Sequence, residues 1–67
     1  MRLTINGEQK DISEGVNNID KLLDSLSIKK QSTAAELNGK IIGQKEWNSA
    51  ALKDGDRLEI ITFVGGG

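Results

Sequence analysis

Two Asn-Gly pairs, at positions 6–7 and 38–39, constrain the fold of this chain more than any other feature. Asn-Gly favours the two-residue turn of a β-hairpin, because both residues adopt positive φ angles readily. Alternating or apolar residues flank each pair, as expected for strands. We therefore predict two hairpins, the first with strands over about 2–6 and 8–13, and the second with two short strands around the turn at 38–39.

Between the predicted hairpins, the apolar residues recur with the period of an α-helix. Four of them share the i, i+3, i+4, i+7 spacing of one helix face: Ile19, Leu22, Leu23 and Leu26. This spacing predicts a helix over 19–26, with Asn18 as its N-cap. A stripe that binds a partner is the alternative, but a domain this small needs the stripe for its own core.

The last strand is predicted over 57–64, where the sequence RLEIITFV is the most apolar of the chain. Side chains alternate along a strand, so Leu58 and Ile60 share one face while Ile61 and Phe63 share the other. We assign the first pair to the core. The second pair then lies on the face away from the helix, where exposed apolar side chains would form a docking surface.

These elements predict an α+β fold, in which one helix covers one face of a mixed sheet of four or five strands. The final strand most simply pairs in the middle of that sheet. We expect one domain over 1–64 and a flexible glycine tail over 65–67, since 67 residues leave no room for a second domain. Trp47, in the irregular crossover before the last strand, is expected to plug one edge of the core rather than stack on a ligand.

Charge and composition disfavour several classes of function. The chain has 9 Lys plus Arg against 10 Asp plus Glu, without the concentrated positive charge of proteins that bind nucleic acid. It has no apolar run of about 18 residues and no signal-like N-terminal segment, so we expect no membrane partner and a cytoplasmic location. His, Cys and Tyr are absent. We therefore expect no enzymatic activity of its own and no metal or cofactor bound by this chain.

The sequence ends in FVGGG, residues 63–67. Packing does not explain three glycines, because glycine buries no side chain and loses more backbone entropy on ordering than any other residue. An α-carboxyl group is ionised at pH 7, and an arm of three residues could carry it roughly 10 Å away from the folded body. A frayed end without a function is the alternative.

Four segments together carry a resemblance to a known family: NIDKLLDSL, LNGKIIGQKEW, LKDGDRLEII and FVGGG. They resemble the ThiS family of sulfur-carrier proteins in thiamine biosynthesis, and the likeness runs along the whole chain. The resemblance implies a ubiquitin-like β-grasp fold. The chain departs from the common family pattern at Asn18, where many members have Thr, and at Gly43, where many have Pro.

The resemblance also implies a chemistry for the tail. The carboxylate of Gly67 would be adenylated with ATP and Mg²⁺ by a separate ubiquitin-activating-like enzyme of the ThiF type, and then converted to a thiocarboxylate. Gly66 completes the Gly-Gly signature, and Gly65 matches an additional glycine of some members. Ile61, Phe63 and Val64 would bind the partner beside the entry to its cleft.

The implied partners are the ThiF-type adenylyltransferase, a thiazole synthase of the ThiG type that receives the sulfur, and a sulfur donor such as a cysteine desulfurase. The carrier itself is expected to be a monomer. Two alternatives remain open. The small subunit of molybdopterin synthase has the same fold and the same Gly-Gly end, and a chemically silent ubiquitin-like interaction domain would have the fold alone.

Overall fold

The computed structural model describes residues 1–63. Val64 and the predicted tail at 65–67 lie outside the described residues. Five strands and one α-helix follow one another along the chain: β1 (Arg2–Ile5), β2 (Glu8–Asp11), α1 (Ile19–Ser25), β3 (Thr33–Leu37), β4 (Lys40–Ile42) and β5 (Arg57–Thr62). Single turns of 3₁₀ helix precede β3 at Lys30–Ser32 and follow β4 at Gln44–Glu46.

The strands form one five-stranded sheet in the order β2-β1-β5-β3-β4. The last strand is central, as predicted, and it pairs parallel to β1 and antiparallel to β3. Both hairpins are confirmed, with β1 antiparallel to β2 and β3 antiparallel to β4. The predicted mixed sheet therefore has five strands. Its first strand, β1, and its last strand, β5, are neighbours in the middle of the sheet.

The two Asn-Gly turns have the backbone that their sequence predicts. The φ angles are 51° and 84° at Asn6 and Gly7, and 52° and 86° at Asn38 and Gly39. Positive φ at both central residues is typical of the type I′ turn, whose twist matches that of paired strands. Each hairpin is thus specified by its own two-residue loop.

Four predicted element ends are wrong by one or two residues. Strand β1 ends at Ile5 rather than at 6, and β5 ends at Thr62 rather than at 64. Strand β2 ends at Asp11 rather than at 13, and all four of its residues are exposed. It is a short, charged strand at the edge of the sheet, where such side chains discourage pairing with another chain. Helix α1 ends at Ser25 rather than 26, because Leu26 caps it and Ser27 turns out of the helix with a φ of 57°.

The core lies between α1 and the sheet. Its five largest fully buried side chains come from the predicted helical stripe and from the two parallel strands: Leu3, Ile19, Leu22, Leu23 and Leu58. Asn18 is the N-cap, as predicted, and its Oδ1 accepts a hydrogen bond of 2.8 Å from the amide of Lys21. Trp47 is only 2% exposed, and its Nε1 donates to the carbonyl of Ile42 at 2.9 Å, which confirms its packing role. Within 1–63, no helix is long and apolar enough to cross a membrane.

Candidate functional site

The sheet face away from α1, here called the outer face, is the candidate docking surface. Its composition follows from the strand register, in which Ala34 lies opposite Ile61 and Glu36 lies opposite Glu59 between β3 and β5. In the second hairpin, Glu36 also lies opposite Ile41. The alternate residues of β5 point into the core, so these side chains share the outer face.

Three large apolar side chains are exposed on this face: Ile41 at 72%, Ile61 at 51% and Phe63 at 59%. We call these three residues the outer patch. The predicted exposure of Ile61 and Phe63 is confirmed, and so is the burial of Leu58 and Ile60 on the other side of the same strand. Ile61 and Phe63 are neighbours on the same side of β5, whereas Ile41 lies on the far side of β3 from them. Large apolar side chains that the fold leaves in solvent on one face are typical of a protein-binding surface.

Sequence reasoning did not assign Ile41 to this surface, although the sequence held the signal. A two-residue hairpin loop at 38–39 sets Leu37 opposite Lys40, and therefore Glu36 opposite Ile41. Glu36 and Ile41 then share a face by alternation, while Ala35 turns toward the core. No local turn relates β3 to β5, so the sequence did not indicate that this face is the one that carries Ile61.

The described part of the chain ends in the outer patch, at Phe63. The amide of Phe63 donates to the carbonyl of Ser32 at 2.7 Å, so the ladder between β5 and β3 continues to the last described residue. The predicted site residues Val64, Gly65, Gly66 and Gly67 follow it in sequence and lie outside the described range. Of the predicted site, the structure therefore brings together Ile61 and Phe63.

A shallow depression of about 340 Å³ lies next to Ile41 and Ile61, and four of its five lining residues have polar side chains: Glu36, Asn38, Gly39, Arg57 and Glu59. The two glutamates are direct cross-strand partners. Neither of them forms an ion pair with any residue of the described part of the chain, including Arg57. The outer face therefore combines apolar side chains with two free carboxylates.

Ionisable groups in the described residues show no arrangement suited to acid–base catalysis. Lys30 is the side chain with a shifted pKa, which is raised because its ammonium group donates hydrogen bonds to Asp24 and Asp20. A raised pKa keeps the amine protonated at neutral pH, which is the opposite of what a nucleophilic lysine needs. Over 1–63, no group of three or more His, Cys, Asp or Glu side chains could hold a metal ion.

Comparison with known proteins finds similarity along the whole chain. The model of the ThiS family matches residues 3–67. The sulfur carrier protein ThiS of Bacillus subtilis is 34% identical over 65 residues, which are 97% of this chain and 98% of that protein. The crystal structure of the thiamine biosynthesis protein ThiS from Geobacter metallireducens superposes with a TM-score of 0.85 at 32% identity, covering 100% of both chains.

A second kind of relative is much longer. A thiazole synthase of Paramagnetospirillum magneticum is 37% identical over 67 residues, which are 100% of this chain and 20% of that protein. The present chain therefore spans about a fifth of the length of that relative. The matched stretch and the rest of the thiazole synthase are parts of one polypeptide.

Proposed function

Because this chain belongs to the ThiS family, we propose that it is a sulfur carrier of thiamine biosynthesis and that its reactive group is the carboxylate of Gly67. The observation that carries this proposal is the family match over residues 3–67, which includes all three terminal glycines. The outer patch beside the start of the arm supports it, since a carrier must bind the enzymes that act on it.

The proposed chemistry takes place in the active site of a ThiF-type adenylyltransferase. One oxygen of the Gly67 carboxylate attacks the α-phosphorus of ATP, a new P–O bond forms, and pyrophosphate leaves with its Mg²⁺. The terminal sulfur of a persulfide on the cysteine desulfurase then attacks the carbonyl carbon of the acyl adenylate, and AMP leaves. A thiol, such as free cysteine, cleaves the S–S bond of the resulting acyl disulfide by thiol–disulfide exchange, which leaves the thiocarboxylate on Gly67 and a disulfide on the donor. The partner supplies ATP, Mg²⁺ and the groups that stabilise the transition state.

Glycine suits this arm for steric reasons. A side chain at Gly65 or Gly66 would restrict φ and ψ and would widen the arm that must enter the partner's cleft. Ordering such a free segment costs entropy on binding. Apolar area buried at the outer patch and at Val64, beside the entry to the cleft, offsets that cost.

The proposed acceptor of the sulfur is a thiazole synthase of the ThiG type. Similarity of this chain to one segment of a longer thiazole synthase supports this partner, because two domains of one polypeptide commonly act together. A cysteine desulfurase is the proposed source of sulfur. Since adenylation consumes ATP, we also propose that the carrier works in the cytoplasm, as a monomer that meets each partner in turn.

The proposal is tested by weighing the intact protein after incubation with a ThiF-type enzyme, ATP, Mg²⁺, a cysteine desulfurase and cysteine. We expect the mass to rise by the difference between one sulfur and one oxygen atom. A chain lacking Gly66 and Gly67 is the control, and its mass should not change. A parallel incubation contains the adenylating enzyme of molybdopterin synthesis instead. Modification in that incubation alone would assign the chain to the molybdopterin pathway. An unmodified chain that still binds a partner would be a silent interaction domain.

A further inference from the structure

The two glutamates of the outer face occupy a costly arrangement. Glu36 and Glu59 are directly opposite each other on neighbouring antiparallel strands, where side chains start about 5 Å apart. Like charges in this position destabilise a sheet. Arg57 lines the same depression but makes no ion pair with either carboxylate, and no other cation of the described residues does so. Within 1–63, no ion pair therefore offsets the repulsion between these two carboxylates.

The surroundings of the pair match a protein interface. On the outer face, Glu36 lies between Glu59 and the exposed Ile41, and Ile61 follows Glu59 by two residues on the same side of β5. Apolar contacts supply affinity but little orientation, whereas paired charges fix register and partner choice. A guanidinium group has five donors in a planar fork, which can bridge two neighbouring carboxylates.

We propose that the protein docked on the outer face places a cationic side chain, an arginine by this geometry, between the carboxylates of Glu36 and Glu59. The partner is the adenylating enzyme of the proposed function, on which this inference rests. When the partner covers the two carboxylates, it excludes water from them, and their attraction for the cation becomes stronger. The charge pair therefore selects a partner with a basic residue set among apolar ones.

The position of the pair along β5 suits a docking anchor. Glu59 precedes Phe63 by four residues, or about 13 Å of strand. Gly67 follows Phe63 by four residues, which span at most about 14 Å. Along the chain, Ile61 and Phe63 of the outer patch thus lie between Glu59 and the proposed reactive carboxylate of Gly67. An enzyme whose cationic side chain binds Glu59 therefore keeps its catalytic cleft free for the C-terminal arm.

The experiment measures binding of the ThiF-type enzyme to wild type and to Glu36→Gln, Glu59→Gln and the double variant, by calorimetry at low and high salt. Each single substitution is expected to weaken binding about fivefold at low salt, and the loss should shrink at high salt. Glu8→Gln is the control for the loss of one negative charge, because Glu8 is an exposed glutamate of β2 that pairs across strands with the core residue Ile5 and therefore lies on the other face of the sheet, where it forms an ion pair of 3.6 Å with Lys10. It removes the same charge and should change the affinity by less than about twofold.

Thermal unfolding of the same variants provides a second readout. Neutralising either glutamate should leave the melting temperature unchanged or raise it, because a repulsion is removed. Wild-type affinity in Glu36→Gln and Glu59→Gln, or a lowered melting temperature, would overturn the inference and leave the sulfur-carrier function intact. A wild-type chain that the enzyme neither binds nor adenylates would overturn the proposed function, and the docking inference with it.

Discussion

At the scale of single residues, asparagine side chains join the hairpin loops to the central strand. The Oδ1 atom of Asn6 accepts from the amide of Ile60 at 2.7 Å, and its Nδ2 donates to the carbonyl of the same residue at 3.2 Å. This side chain therefore continues the pairing of β1 with β5 past the end of β1. Asn38 acts in a similar way, since its Oδ1 accepts from the amide of Arg57 at 2.9 Å. Both asparagines thus hold the strand that leads to the arm.

Ser27 gives a prediction at this scale. Its amide donates to the carbonyl of Asp24 and the amide of Ile28 donates to that of Leu23, both at 3.0 Å, which is the hydrogen-bond pattern of a Schellman motif. The residue with positive φ in this motif is usually Gly, but here it is Ser27 at 57°. Replacing Ser27 with Gly removes the steric cost of that conformation. We expect the free energy of unfolding, measured in urea, to rise by about 0.5–1 kcal/mol.

Ser25→Gly is the control for this prediction. Ser25 lies in the last turn of α1, where glycine is a poor helix former, and its hydroxyl group donates to the carbonyl of Leu22 at 2.8 Å. The same substitution two residues earlier should therefore lower the stability by about 0.5–1 kcal/mol. Equal effects at the two positions would show that the backbone conformation of Ser27 is not strained.

At the scale of elements, Lys30 ties the 3₁₀ turn before β3 to helix α1. Its Nζ atom lies 2.7 Å from Oδ1 of Asp24 and 3.0 Å from Oδ1 of Asp20. These hydrogen bonds raise the pKa of Lys30 above its ordinary value of 10.5, although desolvation opposes them. Asp20 is in the first turn of the helix, so the lysine spans most of the length of α1.

The raised pKa predicts a loss of stability at alkaline pH. A group whose pKa is higher in the folded state stabilises the fold fully below the unfolded value, and this contribution disappears as the pH rises through the folded value. Lys30→Met should therefore be less stable than wild type at pH 7 to 9, and the difference should shrink above about pH 10.5. The measurement is the midpoint of urea unfolding across this range.

Lys29→Met serves as the comparison for Lys30→Met. Lys29 is the preceding residue and forms no ion pair within 1–63. Its replacement should leave the midpoint almost unchanged at every pH. A difference for Lys30→Met that stays constant through pH 11 would mean that the ion pairs do not hold the turn.

At the scale of the whole molecule, the sheet order places the strand that precedes the proposed reactive carboxylate at the centre of the sheet. The predicted β-grasp fold, with five strands and one helix, is confirmed. Strand β5 is held by β1 on one side and by β3 on the other, so the segment before the arm is anchored in the middle of the sheet. One face of β5 closes the core, and the opposite face carries the outer patch.

Binding of the proposed adenylating enzyme should depend on one face of β5 only. Ile61→Ser removes an apolar side chain of the outer patch, and we expect at least tenfold weaker binding to the ThiF-type enzyme by calorimetry. Ile60→Val is the control, because it shortens the neighbouring side chain on the core face of β5, which is only 8% exposed. Each variant should lose about 0.5–1.5 kcal/mol of stability. Equal affinity of the two variants would argue against docking through the outer patch.

Much of this protein follows from local features of its sequence. The two Asn-Gly loops, the helical stripe and the alternation along β5 predicted both hairpins, the helix and the core residues Leu58 and Ile60, because each depends on residues close together in the chain. The errors at the ends of β2 and α1 are also local, since neither end has a strong turn signal. The ThiS family assignment is confirmed, and the role of Gly67 stays a prediction.

The register across the centre of the sheet was decided by the tertiary structure alone. Residues of β3 and β5 that pair are more than twenty positions apart, and the loop between these strands does not fix which residues meet. Packing of Ala35, Leu58 and Ile60 under α1 selects one register. That register brings Glu36 to Glu59 and Ala34 to Ile61, and so makes one continuous face from residues that are distant in the sequence.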